Sequence, residues 1–145
     1  MNTPKKQSTS ADQGATYVLD SYAMLAFLDG EQGTARVHAV LQSAQQGRAQ
    51  VCMSVINLGE VLYIVERERG LPLAQQVLAA IEQLPIVLLE ATRERVLAAA
   101  HLKACHRISY ADAFAVAAAQ ELPGSVLTGD PEFAAVEKLV RVEWL

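Results

Sequence analysis

The sequence predicts an α/β fold in which helices cover both faces of a mostly parallel sheet. Three observations carry that prediction. Apolar runs of three to five residues recur along the chain, and helical stretches of ten or more residues separate most of them. The 145 residues are 52% hydrophobic and 19% charged, which suits one compact domain with a sizeable core.

Residues 1–15, rich in Ser, Thr, Gln and Lys without apolar periodicity, are expected to form a flexible tail, leaving 16–145 as the folded domain. The first strand is Tyr17-Val18-Leu19, closed by Asp20 and followed by a helix through Phe27 and Leu28. Gly30 and Gly33 then interrupt the chain before a helix over Ala35 to Gln46, with Val37, Val40 and Leu41 at helical spacing. Ala49 to Met53 is the second strand, leading into a helix from Ser54 to Gly70. Pro72 suits the first turn of the next helix, which reaches Gln83. Ile86 to Leu89 is the third strand, and Thr92 to His106 and Ser109 to Glu121 are two further helices. Ser125 to Leu127 is the fourth strand. A short helix follows Asp130-Pro131, and Leu139 to Val142 is the last strand.

Composition removes several function classes. A net charge of −4 and a pI near 5.3 argue against a broad basic clamp on nucleic acid. No apolar run approaches the ~18 residues needed to span a bilayer, and no apolar segment follows the two N-terminal lysines as in a secretory signal. Cys52 and Cys105 are too few for a disulfide framework, and both are expected to be buried free thiols of a cytoplasmic protein. His101, Cys105 and His106 do not share one helix face at that spacing. There is no GxxxxGK[ST] phosphate loop, no GxGxxG after a strand and no GxSxG nucleophile elbow.

Four carboxylates remain to be explained, and each has an ordinary structural role available. Asp20 follows a strand and can cap the next helix, and Asp130-Pro131 is a common helix start. Ser109 and Asp112 have the spacing of a capping box. Glu60 is harder to place on the surface, because Ile56, Tyr63 and Ile64 are its helical neighbours and the helix is expected to be buried all round. Ligands of parallel sheets bind beyond the carboxyl ends of the strands, where Asp20 and Asp130 lie. If all four acids converge, their repulsion demands a cation, and oxygen-only donors favour Mg²⁺ or Mn²⁺ over Zn²⁺.

Four strings in this order resemble the PIN-domain family, and within it the small bacterial VapC-type toxins. They are Tyr-Val-Leu-Asp20-Ser, Ser54-Val-Ile-Asn-Leu-Gly-Glu60-Val, Ser109-Tyr-Ala-Asp112-Ala and Leu127-Thr-Gly-Asp130. The resemblance runs from Tyr17 to the end of the chain. It implies a three-layer α/β/α fold around about five strands, and Mg²⁺- or Mn²⁺-dependent cleavage of RNA. By that resemblance Asp20, Glu60 and Asp112 bind metal, Asp130 completes the acidic pocket, and Ser21 and Thr128 support it by hydrogen bonding. One or two ions, a homodimer and a cognate antitoxin are implied in the same way. A non-toxin PIN nuclease of RNA processing is the alternative within the family. A receiver-type module that binds Mg²⁺ for signalling is the alternative outside it, disfavoured because Leu19-Asp20-Ser21 offers one acid where such a site wants two.

Overall fold

A computed structural model describes residues 14–31 and 33–145. The elements are β1 (Ala15–Leu19), α1 (Ser21–Asp29), α2 (Thr34–Gln45), β2 (Ala49–Ser54), α3 (Val55–Arg69), α4 (Leu71–Glu82) and β3 (Val87–Leu89). They continue with α5 (Arg93–Cys105), α6 (Tyr110–Glu121), β4 (Ser125–Thr128), a 3₁₀ helix (Pro131–Val136) and β5 (Arg141–Trp144). All four strand pairings are parallel, in the order β3-β2-β1-β4-β5.

The pleat divides the apolar side chains of the central strands between two cores. Val18, Cys52 and Val126 point to one face, where Ala99 and Leu102 of α5, Phe114 and Val116 of α6 and Phe133 of the 3₁₀ helix pack on them. Tyr17, Leu19, Val51, Met53 and Leu127 point to the other, under Met24 of α1, Val37 and Val40 of α2, Val61 of α3 and Ile81 of α4. Strands apolar on both sides read as unbroken apolar runs, so the three-layer α/β/α arrangement follows from their composition. Helix α6 is the most enclosed element, with Asp112 through Ala119 buried, and its alanines let it lie close to the sheet.

Helix ends follow local chemistry. Ser54, Thr92 and Ser109 cap α3, α5 and α6 by accepting backbone N–H bonds from Ile56, Arg95 and Asp112. Gly30 ends α1 in the left-handed region, at φ 67°, where a side chain is disfavoured.

Four expectations need correction. Residues 1–13 of the expected tail lie outside the described residues, and Ala15 already pairs with Ala49 in β1. The last strand is shifted two residues toward the C-terminus, because the amides of Leu139 and Val140 turn back to the Val136 carbonyl. Helix α3 buries only Asn57, Leu58 and Val61, leaving Tyr63 exposed and Glu60 half-buried. Ile56, Leu62 and Val65 are partly buried against the two cores, whereas Tyr63 faces solvent. Cys52 is buried as expected, whereas Cys105 is exposed near the end of α5.

Candidate metal centre

Strand order places the site. From β1 the chain builds outward through β2 and β3, then returns to the opposite side of β1 as β4. The reversal leaves a crevice beyond the carboxyl ends of β1 and β4, the usual position for a ligand in an open parallel sheet. Asp20 leaves β1 at that point, and Asp130 stands two residues beyond β4.

Asp20 is buried and holds two roles at once. One carboxylate oxygen accepts the Ala23 amide at 2.8 Å, capping α1. The other accepts the Thr128 hydroxyl at 2.5 Å, across 108 residues of sequence. Thr128 in turn accepts the Asp130 amide at 3.0 Å, so one hydroxyl sets the spacing of two acids. Burial pushes the Asp20 carboxyl up to about 7; the Thr128 and Ala23 bonds oppose that rise, and the charges of Asp130 and Glu60 add to it.

Asp112 is buried in the first turn of α6. Its backbone amide donates to the Ser109 hydroxyl at 3.1 Å, the first half of a capping box. The second half, in which the acid takes the amide of the cap residue, falls to another side chain. Glu132 of the 3₁₀ helix accepts the Ser109 amide at 3.4 Å. Asp112 is thereby released from closing the box, and its Oδ2 is buried with no hydrogen-bond partner. Desolvation, then hydrogen bonding with the Glu132 carboxyl, raises Asp112 to about 8 against a smaller opposing effect of Ser109.

Asp112, Asp130 and Glu132 each offer a carboxylate oxygen, and these oxygens lie within 4.8 Å of one another. Such a donor set fits a hard divalent cation: all oxygen, one buried and orphaned, with neither thiolate nor imidazole among them. Glu60 belongs to the same wall, accepting the Ser21 hydroxyl one residue beyond Asp20. Asn57, one turn earlier on α3 and fully buried, donates to the Ala111 carbonyl at 3.1 Å. It ties the helix bearing Glu60 to the helix bearing Asp112.

The family profile of the PIN domain matches residues 17–139. The chain belongs to the PIN-domain family. No curated protein is a significant match to its sequence. Among solved structures, the PIN fold here is similar to VapBC2 from Rickettsia felis bound to a promoter DNA fragment, with a TM-score of 0.69 and 14% identity over 88% of this chain and 97% of that one. It is also similar to VapC20 of Mycobacterium tuberculosis, a toxin that cleaves the sarcin-ricin loop, with a TM-score of 0.63 and 19% identity over 83% and 94%. FitAcB from Neisseria gonorrhoeae gives a TM-score of 0.62 and 21% identity over 87% and 95%.

Of the four acids expected from the sequence, Asp112 and Asp130 share the tight cluster, while Asp20 and Glu60 stand behind it in electrostatic reach of one another. Glu132 and Asn57 are additions. Glu132 reads in sequence as an ordinary acid in a helix's first turn, complementing its dipole. Its partner Ser109 is 23 residues away, so only the fold reveals the contact. Asn57 carried a signal, a lone amide in the apolar string before Glu60.

Thr128 offers a direct test of this PIN site. Thr128→Val keeps the volume but leaves Asp20 Oδ2 and the Asp130 amide without their partner. Stability is expected to fall by about 1–3 kcal/mol in denaturant titration, and divalent-metal affinity by roughly 10–100-fold in calorimetry.

Proposed function

We propose that the protein is an Mg²⁺- or Mn²⁺-dependent endoribonuclease and the toxin of a toxin–antitoxin pair. The observation that carries the reading is the buried Asp112 oxygen, orphaned beside the carboxylates of Asp130 and Glu132 at the open edge of the sheet. A buried carboxylate facing two more acids is costly unless a cation joins them.

Asp112, Asp130 and Glu132 would hold one ion, and Asp20 and Glu60 line the wall on which a second would sit. The cation, when bound, polarises a phosphate and acidifies a coordinated water. The chain's own share is positional. Thr128 and the Ala23 amide orient Asp20 and favour its ionised form against burial; Ser21 steadies Glu60; Asn57 keeps α3 and α6 at fixed separation. With neither a GxSxG elbow nor a histidine among these residues, water is the nucleophile this site favours. The acidic balance of the chain is compatible with an RNA substrate, because the acids at the site are neutralised by the ions they bind.

The toxin reading draws support from VapC20 and the VapBC complexes, whose fold this chain shares. An antitoxin and a second copy of the chain both need apolar surface. Leu25 and Leu28 of α1, Val65 of α3, and Leu73 and Val77 of α4 line an open groove, with Tyr63 and Leu71 exposed nearby. A cytoplasmic site of action suits this reading; no helix of the described residues is long and apolar enough to cross a membrane.

Purified protein is expected to cut RNA internally in Mn²⁺ or Mg²⁺ and to stop in excess EDTA. Cleavage that persists in EDTA refutes the metal dependence, and no cleavage with either ion refutes the nuclease. Induced expression is expected to arrest growth, with relief by a co-expressed neighbouring gene. Normal growth with abundant soluble protein removes the toxin role and leaves the nuclease standing.

A further inference from the structure

His101 and Cys105 stand one turn apart on α5, and both are exposed. Residues four apart on a helix share a face, and Cys105 Sγ lies 4.0 Å from His101 Nε2. His106 does not join them. It caps the C-terminus of α5 with extended backbone, at φ −136° and ψ 151°, and is half-buried. The pair therefore offers one thiol and one imidazole, a donor set unlike the all-oxygen cluster of Asp112, Asp130 and Glu132.

The spacing fits zinc. Zn²⁺ holds thiolate sulfur at about 2.3 Å and imidazole nitrogen at about 2.1 Å, which puts the two about 3.6 Å apart across a tetrahedral edge. A small side-chain rotation of either exposed residue covers the difference from 4.0 Å. Coordination needs the thiolate, so the Zn–S bond forms as the Cys105 proton passes to solvent, while neutral His101 lends the lone pair of Nε2. Cys52 does not compete, being buried in the core with its thiol pushed up by that burial.

Two ligands are half of a closed tetrahedral set. Among the described residues, no third His, Cys, Asp or Glu joins them. The surroundings point to the source of the other half. Exposed Ala98 and Ala104 flank the pair, and Leu97, 55% exposed, stands one turn before His101. This face of α5 is apolar and low, so another helix can approach it closely. A two-fold axis through a tetrahedral ion exchanges its ligands in pairs, and a second α5 carries the same two donors at the same spacing. Two thiolates also balance the charge of the ion. We propose that His101 and Cys105 are half of a Zn²⁺ site that a second copy of this chain completes, placing two thiolates and two imidazoles on one ion. The site lies on a different helix from the acids and does not depend on the nuclease reading.

The test is a zinc titration of the whole chain, with a phosphine reductant and excess Mg²⁺ to occupy the carboxylates. Sedimentation equilibrium measures self-association, and Co²⁺ in place of Zn²⁺ reports thiolate ligation through its charge-transfer absorption. The wild type is expected to bind one ion per two chains, and its self-association to strengthen by roughly 100-fold or more in saturating Zn²⁺. Cys105→Ser and His101→Asn should each lose that gain, Cys105→Ser losing the cobalt band as well. Both should melt as wild type does in EDTA, because neither side chain is buried. Asp112→Asn should keep the band and the association, which separates the ion from the acidic crevice. One ion per chain with no gain in association, or a gain that survives in Cys105→Ser, overturns the proposal. A dimer that forms only when the reductant is left out is a Cys105 disulfide and overturns it too.

Discussion

Asp112→Asn is expected to abolish RNA cleavage while making the metal-free protein more stable at neutral pH. The two effects share one cause. Asp112 is buried with Oδ2 unpartnered and faces Asp130 and Glu132, so its charge is useful only to a cation. The amide keeps the size and the Ser109 cap, which uses the backbone of residue 112 and not its side chain. It also removes the cost that the metal-free wild type meets at neutral pH, where Asp112 must either bury its charge among other acids or keep a proton that the unfolded chain releases. Loss of an outer-shell partner typically costs ~10–100-fold, and loss of a charged ligand should exceed that range. Initial rates in saturating Mn²⁺ and melting temperatures in EDTA at pH 8 measure the pair. An active variant, or one that melts below wild type in EDTA, would contradict the assignment.

The second large effect is a stability that falls as pH rises, and that metal restores. Asp20 and Asp112 have carboxyls raised to about 7 and about 8 from ordinary values near 3.8. Between those limits the folded chain keeps protons that the unfolded chain has released. A group raised in the native state contributes its stability below the unfolded pKa and loses it as pH climbs through the folded one. The metal-free protein is therefore expected to be most stable at or below about pH 4 as far as these two groups decide, and to weaken steadily to pH 8. One pKa unit corresponds to about 1.4 kcal/mol, which puts the change for Asp20 alone on the order of 4 kcal/mol. Metal binding needs the deprotonated forms, so Mn²⁺ should tighten across the same window and flatten the decline. Denaturant midpoints from pH 4.5 to 8, with and without Mn²⁺, show both slopes. A metal-free midpoint that rises toward pH 8 would contradict the buried, mutually repelling arrangement.

Most of the architecture could be read from periodicity, because each buried parallel strand announces itself as an apolar run and α1, α3, α5 and α6 carry side-chain caps. Ser54, Thr92 and Ser109 stand where helices were expected to begin. What escaped depended on neighbours distant in sequence. Helix α3 has an apolar residue at nearly every turn, but periodicity cannot say whether a second layer lies above it, and Glu60 is half-buried in consequence. Cys105 follows Ala104 and stands three residues after Leu102, and is nevertheless exposed, since α5 presents that face to solvent. The last strand slipped by two residues because a backbone turn at Val136 uses up Leu139 and Val140. At the site, Asp20, Glu60, Asp112 and Asp130 were legible as acids in positions where the fold has need of few. Glu132 was not, since its importance comes from completing a cap on a helix it does not belong to.

The bond from Thr128 to Asp20 also orders events in time. It joins the first strand to the fourth across 108 residues, and the intervening β2 and β3 units can form without it. Contacts of such long range close late and slowly. During synthesis β1 must wait with one edge unpaired until β4 has emerged and docked, and an open edge invites association with other chains. Asp130 and Glu132 arrive with that same final segment. A chain still growing thus carries Asp20, Glu60 and Asp112 without Asp130 and Glu132, and the proposed metal site is incomplete until the last crossover is in place.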